Sequence, residues 1–362
     1  MKKKNSKKLF IIVALLIGLL TISMIVSIIL NKTCKVQYNS LDQTDKDMIA
    51  ELSTIGKKFN ENHDELWNKD YKLNEKPIIV IRSNKSNGLI KKQAYAINIK
   101  SVENSIFSKK IDIPNSMELP AVYRISKFDL STISTWMISN FGTVKINNED
   151  VFYFKYYPKM MESPDLYFDF SSFLLHESFH TYKQKDWEYD KNDGEYIKDY
   201  PVNKENYALM GLGFKLLDKC MESNDTNEVE SYLKEWTIVQ TYRYKKWHQL
   251  QSETNTEAIE GTARYLEYKY SKLTGKHLTV LAKKDEPYNV TFMQAFEFIA
   301  NNQAESPSFL DRPMKYETGA ALGLIMDKLD IDWKLEIEDS KKHQGKTRSE
   351  EHTSELQSPV RS

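Results

Sequence analysis

Residues 171–180 read Ser-Ser-Phe-Leu-Leu-His-Glu-Ser-Phe-His, an apolar run ending in H-E-x-x-H. On an α-helix residues four apart share a face, so His176 and His180 can aim ring nitrogens at one metal ion. Glu177 sits one residue further round, where it can reach a water held by that ion. Hydrolysis needs this division: two neutral imidazoles to hold Zn²⁺, and a carboxylate to take the proton of the attacking water. The chain has seven His among 362 residues, and a chance H-E-x-x-H in such a chain has odds of about 1 in 100. The plain alternative is a surface helix with two solvated histidines, and the apolar run leading into the motif argues against it.

Zinc with two His needs a third protein ligand and leaves the fourth position for water. Two carboxylates compete for that place within residues 254–267, Glu257 and Glu260. Thr254-x-x-Glu257 fits a capping box, in which Glu257 has a structural task at the helix start. Glu260 has no such local task, and Gly261 after it permits close approach of a neighbouring helix. Glu260 is therefore the preferred ligand and Glu257 the fallback. Glu267, two turns later, could orient a ligand from behind it or stand exposed. His248 and His277 lie in Lys- and Trp-rich surroundings and read as surface. Trp187, Trp236, Trp247 and Trp333 read as packing.

Two further stretches carry a resemblance. Glu260-Gly261-Thr262-Ala263-Arg264-Tyr265 resembles the E-G-x-A-x-Y helix of gluzincin metallopeptidases, best known from aminopeptidase N-like enzymes. Tyr316-Glu317-Thr318-Gly319-Ala320 is similar to their Y-E-K-G-A helix. The resemblance implies that Glu260 is a zinc ligand, that Tyr316 donates to the oxyanion of a tetrahedral intermediate, and that one Zn²⁺ serves a peptide or protein substrate. A phenol aimed at developing negative charge suits that role, whereas the plain alternative for Tyr316 is a core aromatic. Two departures stand out: 79 residues separate His180 from Glu260, and the G-x-M-E-N segment that grips a free amino terminus is absent. Nothing here therefore calls for an aminopeptidase.

The elements that must position these residues follow from the rest of the chain. Residues 1–8 form a basic tail with Lys2, Lys3, Lys4, Lys7 and Lys8. Residues 9–30 carry no charge, and about 20 such residues span a bilayer. Lysines before the span predict a cytoplasmic N-terminus, a single-pass cell-membrane anchor and an extracytoplasmic remainder; cleavage of the segment would make the protein secreted. Residues 31–75 read as a helical stalk, from Met48, Leu52, Ile55, Phe59 and Leu66 at helical spacing. Residues 76–160 read as a small antiparallel sheet, with runs at 76–81, 93–99 and 121–125 and a hairpin turning at Asn147-Asn148-Glu149-Asp150. Residues 161–340 read as the helical zinc region, opening at Ser163-Pro164-Asp165 with a break near Asp169. Residues 348–362 look like an in-frame translation of a sequencing adapter and are set aside.

Without the first eight residues and that tail, 44 Lys plus Arg face 48 Asp plus Glu, a net charge of about −4. This points away from nucleic acid and anionic membrane surfaces as partners. Cys34 and Cys220 are too few and too far apart in kind for a disulfide framework. The Lys-, Asn- and Ile-rich usage resembles that of low-GC Gram-positive bacteria. The expected fold class is α+β: an N-terminal transmembrane helix, a small antiparallel sheet and a mainly helical zinc-peptidase region. The expected function is a membrane-anchored zinc metallopeptidase; the alternatives are a non-catalytic surface or sensor protein, or a zinc amidase acting on cell-wall peptide. Substrate and oligomeric state are not legible.

Overall fold

The computed structural model describes residues 2–34, 36–83, 91–103, 105–126, 129, 139–162, 169–189, 197–275, 290–301, 303 and 310–338. The chain divides into two compact units, residues 1–60 with 72–164 and residues 61–71 with 165–362. The architecture is α+β.

The first unit contains α1 (Lys2–Thr33), β1 (Val36–Gln37), most of α2 (Gln43–Leu66), β2 (Ile78–Ser83), β3 (Lys91–Ile97), α3 (Lys100–Glu103), β4 (Ser108–Asp112), β5 (Val122–Ile125), β6 (Phe141–Ile146), β7 (Glu149–Tyr156) and α4 (Pro158–Glu162). Within α1, the 24 residues Lys7–Leu30 are apolar and long enough to cross a membrane, and their large side chains are exposed. The seven strands form one sheet in the order β1-β4-β5-β3-β2-β7-β6.

That sheet is mixed, not antiparallel as expected. β2 runs parallel to β7 and β1 parallel to β4, while the other pairs are antiparallel. Alternation of apolar residues reports which face a side chain takes, not which way the neighbouring strand runs. The hint lay in Ile78-Ile79-Val80-Ile81, a continuous apolar run of the kind that parallel pairing buries on both faces, and every residue of β2 is buried. The β6–β7 hairpin is present, with a tighter turn than expected. Asn147 and Asn148 both have positive φ (49° and 68°), as a two-residue type I′ turn requires.

One face of the sheet builds a core from Ile79, Ile81, Ala94, Ala96, Ile125, Val144, Ile146 and Val151. The other is reached by α2, which is no stalk. Its Met48, Ile49, Leu52, Ile55 and Phe59 are buried. Asp45 is buried too, and accepts from Arg82 Nη1 at 2.7 Å, Tyr95 Oη at 2.7 Å and Tyr156 Oη at 2.6 Å. A buried carboxylate needs such partners, and these tie the helix to three strands. The helical pattern of the sequence was right; the buried acid within it decides that the helix is packed.

The second unit contains the end of α2 beyond the non-helical Asn62, α5 (Phe170–Tyr182), α6 (Lys204–Glu222), α7 (Thr226–Lys246), α8 (Glu253–Leu273), α9 (Phe292–Ala300) and α10 (Arg312–Lys328). Residues 163–168, where a helix opening was expected, lie outside the described residues. The break foreseen near Asp169 is where α5 begins: Asp169 is its N-cap, accepting from Ser172 N at 3.0 Å. Behind α5, Trp67 packs edge-on against Phe179 (4.8 Å between ring centroids), Trp333 (5.4 Å) and Tyr265 (6.1 Å). Trp187, Trp236 and Trp333 are buried, as packing residues should be. His248 is exposed, and His277 lies outside the described residues. Cys34 is exposed, Cys220 is buried, and both are free.

The contact that matters most for the site is the crossing of α8 and α10. A Cβ added to Gly261 would lie 2.5 Å from Gly319 Cα, and one added to Gly319 would lie 2.6 Å from Glu257 O. The two backbones touch, so only glycine fits at either position. The close approach expected at Gly261 is thus present, and its partner is the glycine of the second motif.

Candidate metal centre

His176 and His180 stand one turn apart on α5, with ring centroids 4.7 Å apart. Glu260, on α8, turns Oε2 toward both: 3.1 Å from His176 Nε2 and 3.3 Å from His180 Nε2. One donor atom from each of the three residues falls within a 4.8 Å cluster. Donors of a tetrahedral zinc stand about 2.0–2.1 Å from the ion, and hence roughly 3.3 Å from one another. The donor types, two imidazole nitrogens and one carboxylate oxygen, and the two distances from the carboxylate fit Zn²⁺.

Glu257, the fallback, is not at this cluster. It is buried, and its Oε1 accepts from Thr318 Oγ1 at 2.6 Å. Its capping box does not form either. A 3₁₀ turn at His248–Ser252 leads straight into α8 at Glu253, which puts Thr254 inside the helix with its hydroxyl donating to Gln251 O.

Glu267 lies where the sequence reading allowed, behind His176. Its Oε1 is 2.8 Å from His176 Nδ1. It is itself held by Arg264 Nη1 at 2.8 Å, and Arg264 Nε donates to Glu317 at 3.1 Å. Burial alone would lower the His176 pKa, but the bonds to Glu260 and Glu267 outweigh it and push the group up to about 10. Burial likewise opposes the charge on Glu260, and the two histidines overcome it, holding the carboxyl well below its usual range. Without a metal ion the carboxylate is thus held between the two imidazoles, at the place a cation would take.

Glu177 is half-buried, and burial raises its carboxyl above the usual range against the opposing pull of His176 and His180. Tyr316, on the first turns of α10, stacks on His176 with ring centroids 5.9 Å apart and planes 7° from parallel. Burial and the nearby Glu260 raise its phenol pKa. The structure therefore gathers His176, His180, Glu260, Glu267 and Tyr316 in one place.

Three residues at this centre carried no assignment from sequence. Arg312 donates from Nη2 to Glu260 Oε1 at 3.2 Å, and its guanidinium lies 5.2 Å from the Tyr316 ring centroid. Arg264 anchors Glu267. Gln184 meets His180 Nδ1 at 2.5 Å. Only Gln184 left a signal, since it continues the i, i+4 row of His176 and His180. Arg312 comes to the centre through the α8–α10 crossing, which no spacing announces.

Comparison of the chain with protein-family models, curated proteins and solved structures finds no match.

Proposed function

We propose that this chain is a membrane-anchored, extracytoplasmic zinc metallopeptidase of gluzincin type. The observation that carries the reading is the convergence of His176, His180 and Glu260 at the spacing of zinc donors, with Glu267 behind His176. Zn²⁺ bound there would supply a Lewis acid that lowers the pKa of water and polarises a peptide carbonyl. Glu177 takes the proton of the attacking water and passes it to the leaving amine. Its burial-raised pKa brings a carboxylate closer to the neutrality that such a base requires. Tyr316, beside His176, donates its phenol hydrogen to the oxyanion of the tetrahedral intermediate. Arg312 holds the outer oxygen of Glu260. The apolar segment Lys7–Leu30 anchors the chain, and the lysines before it favour an outward-facing second unit.

The test is a peptide-library digest by the zinc-loaded full chain and by Glu177→Gln. The variant should keep its zinc and lose activity by about 10²–10⁴-fold, the usual contribution of a general base. A variant that cleaves as fast as the parent would overturn the mechanism. A parent that holds zinc yet cleaves no peptide would favour the surface-protein or cell-wall amidase alternative.

A further inference from the structure

We infer that Gln184 is a positioning residue for the metal centre: it fixes the tautomer of His180 and ties that ring to the turn carrying Glu260. The inference rests on the zinc reading above. Gln184 is 1% exposed, and its partners settle which way the amide faces. Nε2 lies 2.7 Å from Ile259 O, which can only accept. It also lies 2.6 Å from Thr262 Oγ1, whose own proton is directed to Ala258 O at 2.7 Å. Both amide hydrogens are therefore used on α8, and Oε1 must be the atom that faces His180 Nδ1 at 2.5 Å. An amide oxygen can only accept, so His180 carries its proton on Nδ1. Nε2 is then the atom turned toward Glu260, and with a metal bound its lone pair is the one left for the ion.

The two anchor points on α8 bracket the ligand, because Ile259 precedes Glu260 and Thr262 follows it by two. One buried side chain thus sets the second imidazole and the carboxylate turn with respect to each other. It does so without adding charge. His176 is backed differently, by the anionic Glu267.

The experiment uses the full chain in detergent and pairs zinc competition against a chromogenic chelator with ¹⁵N NMR of the histidine side chains. In the parent, His180 should show its proton on Nδ1. Gln184→Leu should weaken zinc binding by about 10–100-fold, the usual cost of losing such a partner, and shift the Nδ1–H signal upfield. Gln184→Glu keeps an acceptor for Nδ1 but loses the donors to Ile259 O and Thr262 Oγ1, so it should recover part of that loss, which a purely space-filling role would not allow. The inference is overturned if Gln184→Leu binds zinc like the parent, if Gln184→Glu is as weak as Gln184→Leu, or if His180 carries its proton on Nε2. Should Gln184→Leu not fold, Gln184→Glu and the parent tautomer decide. A parent that takes up no zinc sinks the zinc reading instead, and the tautomer in the metal-free chain still decides the part played by Gln184.

Discussion

Helix α8 carries Glu253 and Glu260 two turns apart, one buried and one half-buried, and they are held in opposite ways. Glu253 is 1% exposed and caged by Arg243, at 3.1 and 3.2 Å, and Lys315, at 2.8 Å. Burial would raise its pKa, yet those cations hold it down at about 2. Glu260 has a side chain 17% exposed, and two of its partners are histidines. Permanent cations in a sealed cage cannot be exchanged for anything. Imidazoles are themselves metal ligands, so a cation could join them and the carboxylate. The same residue type on one helix is therefore a structural strut at one level and a candidate metal ligand at the next.

The largest stability effect should come from breaking the cage. Glu253→Gln leaves Arg243 and Lys315 uncompensated and should cost about 3–5 kcal/mol in urea unfolding, with zinc content unchanged. The pH dependence gives the sign. The folded pKa, about 2, lies below the unfolded value of about 4.3. The stabilisation is therefore present above that unfolded value and is lost as pH falls through the folded one. The gap in stability between parent and variant should accordingly shrink as acid is added; a gap constant down to pH 2 would contradict the cage.

Next comes the crossing that brings Glu260 and Arg312 together. Gly261→Ala forces a methyl into the Gly319 backbone and should cost about 1–3 kcal/mol by overpacking. It should weaken zinc binding as well, unlike Glu253→Gln. Equal zinc affinity in Gly261→Ala and parent would show that the crossing does not set the site. Glu257→Ala leaves the Thr318 hydroxyl without its acceptor at a similar cost of about 1–3 kcal/mol but spares zinc, so its total effect is the smallest. Loss of zinc there would reverse the choice between the two carboxylates.

Much of the site was legible because its chemistry is local. His176, Glu177 and His180 share one helical turn, and Glu260 and Glu267 lie two turns apart on one face of α8. Glu257 stands away from the His176–His180–Glu260 cluster for a reason that the sequence reading did not contain. Its structural task is a bond to Thr318 on another helix, which no capping pattern encodes. The sheet was read as strands but with two of its pairs in the wrong direction, since periodicity carries facing and not polarity. On α6 and α7, Leu212, Ile238 and Tyr242 match a helical apolar pattern yet are exposed. Beside apolar residues such as Leu216 and Leu233, the buried faces use Gly213, Gln240 and Arg243, polar or small residues that a hydrophobic count passes over. Gln184 and Arg312 were missed because their roles depend on what another helix places opposite them.

The central claim is that His176, His180 and Glu260 hold zinc, and the metal content of the purified full chain tests it most directly. The parent should carry one zinc per chain, and Glu260→Ala none, with its unfolding midpoint in the metal-free state close to the parent's. A parent without zinc, or a Glu260→Ala variant that retains a full equivalent, would contradict the account.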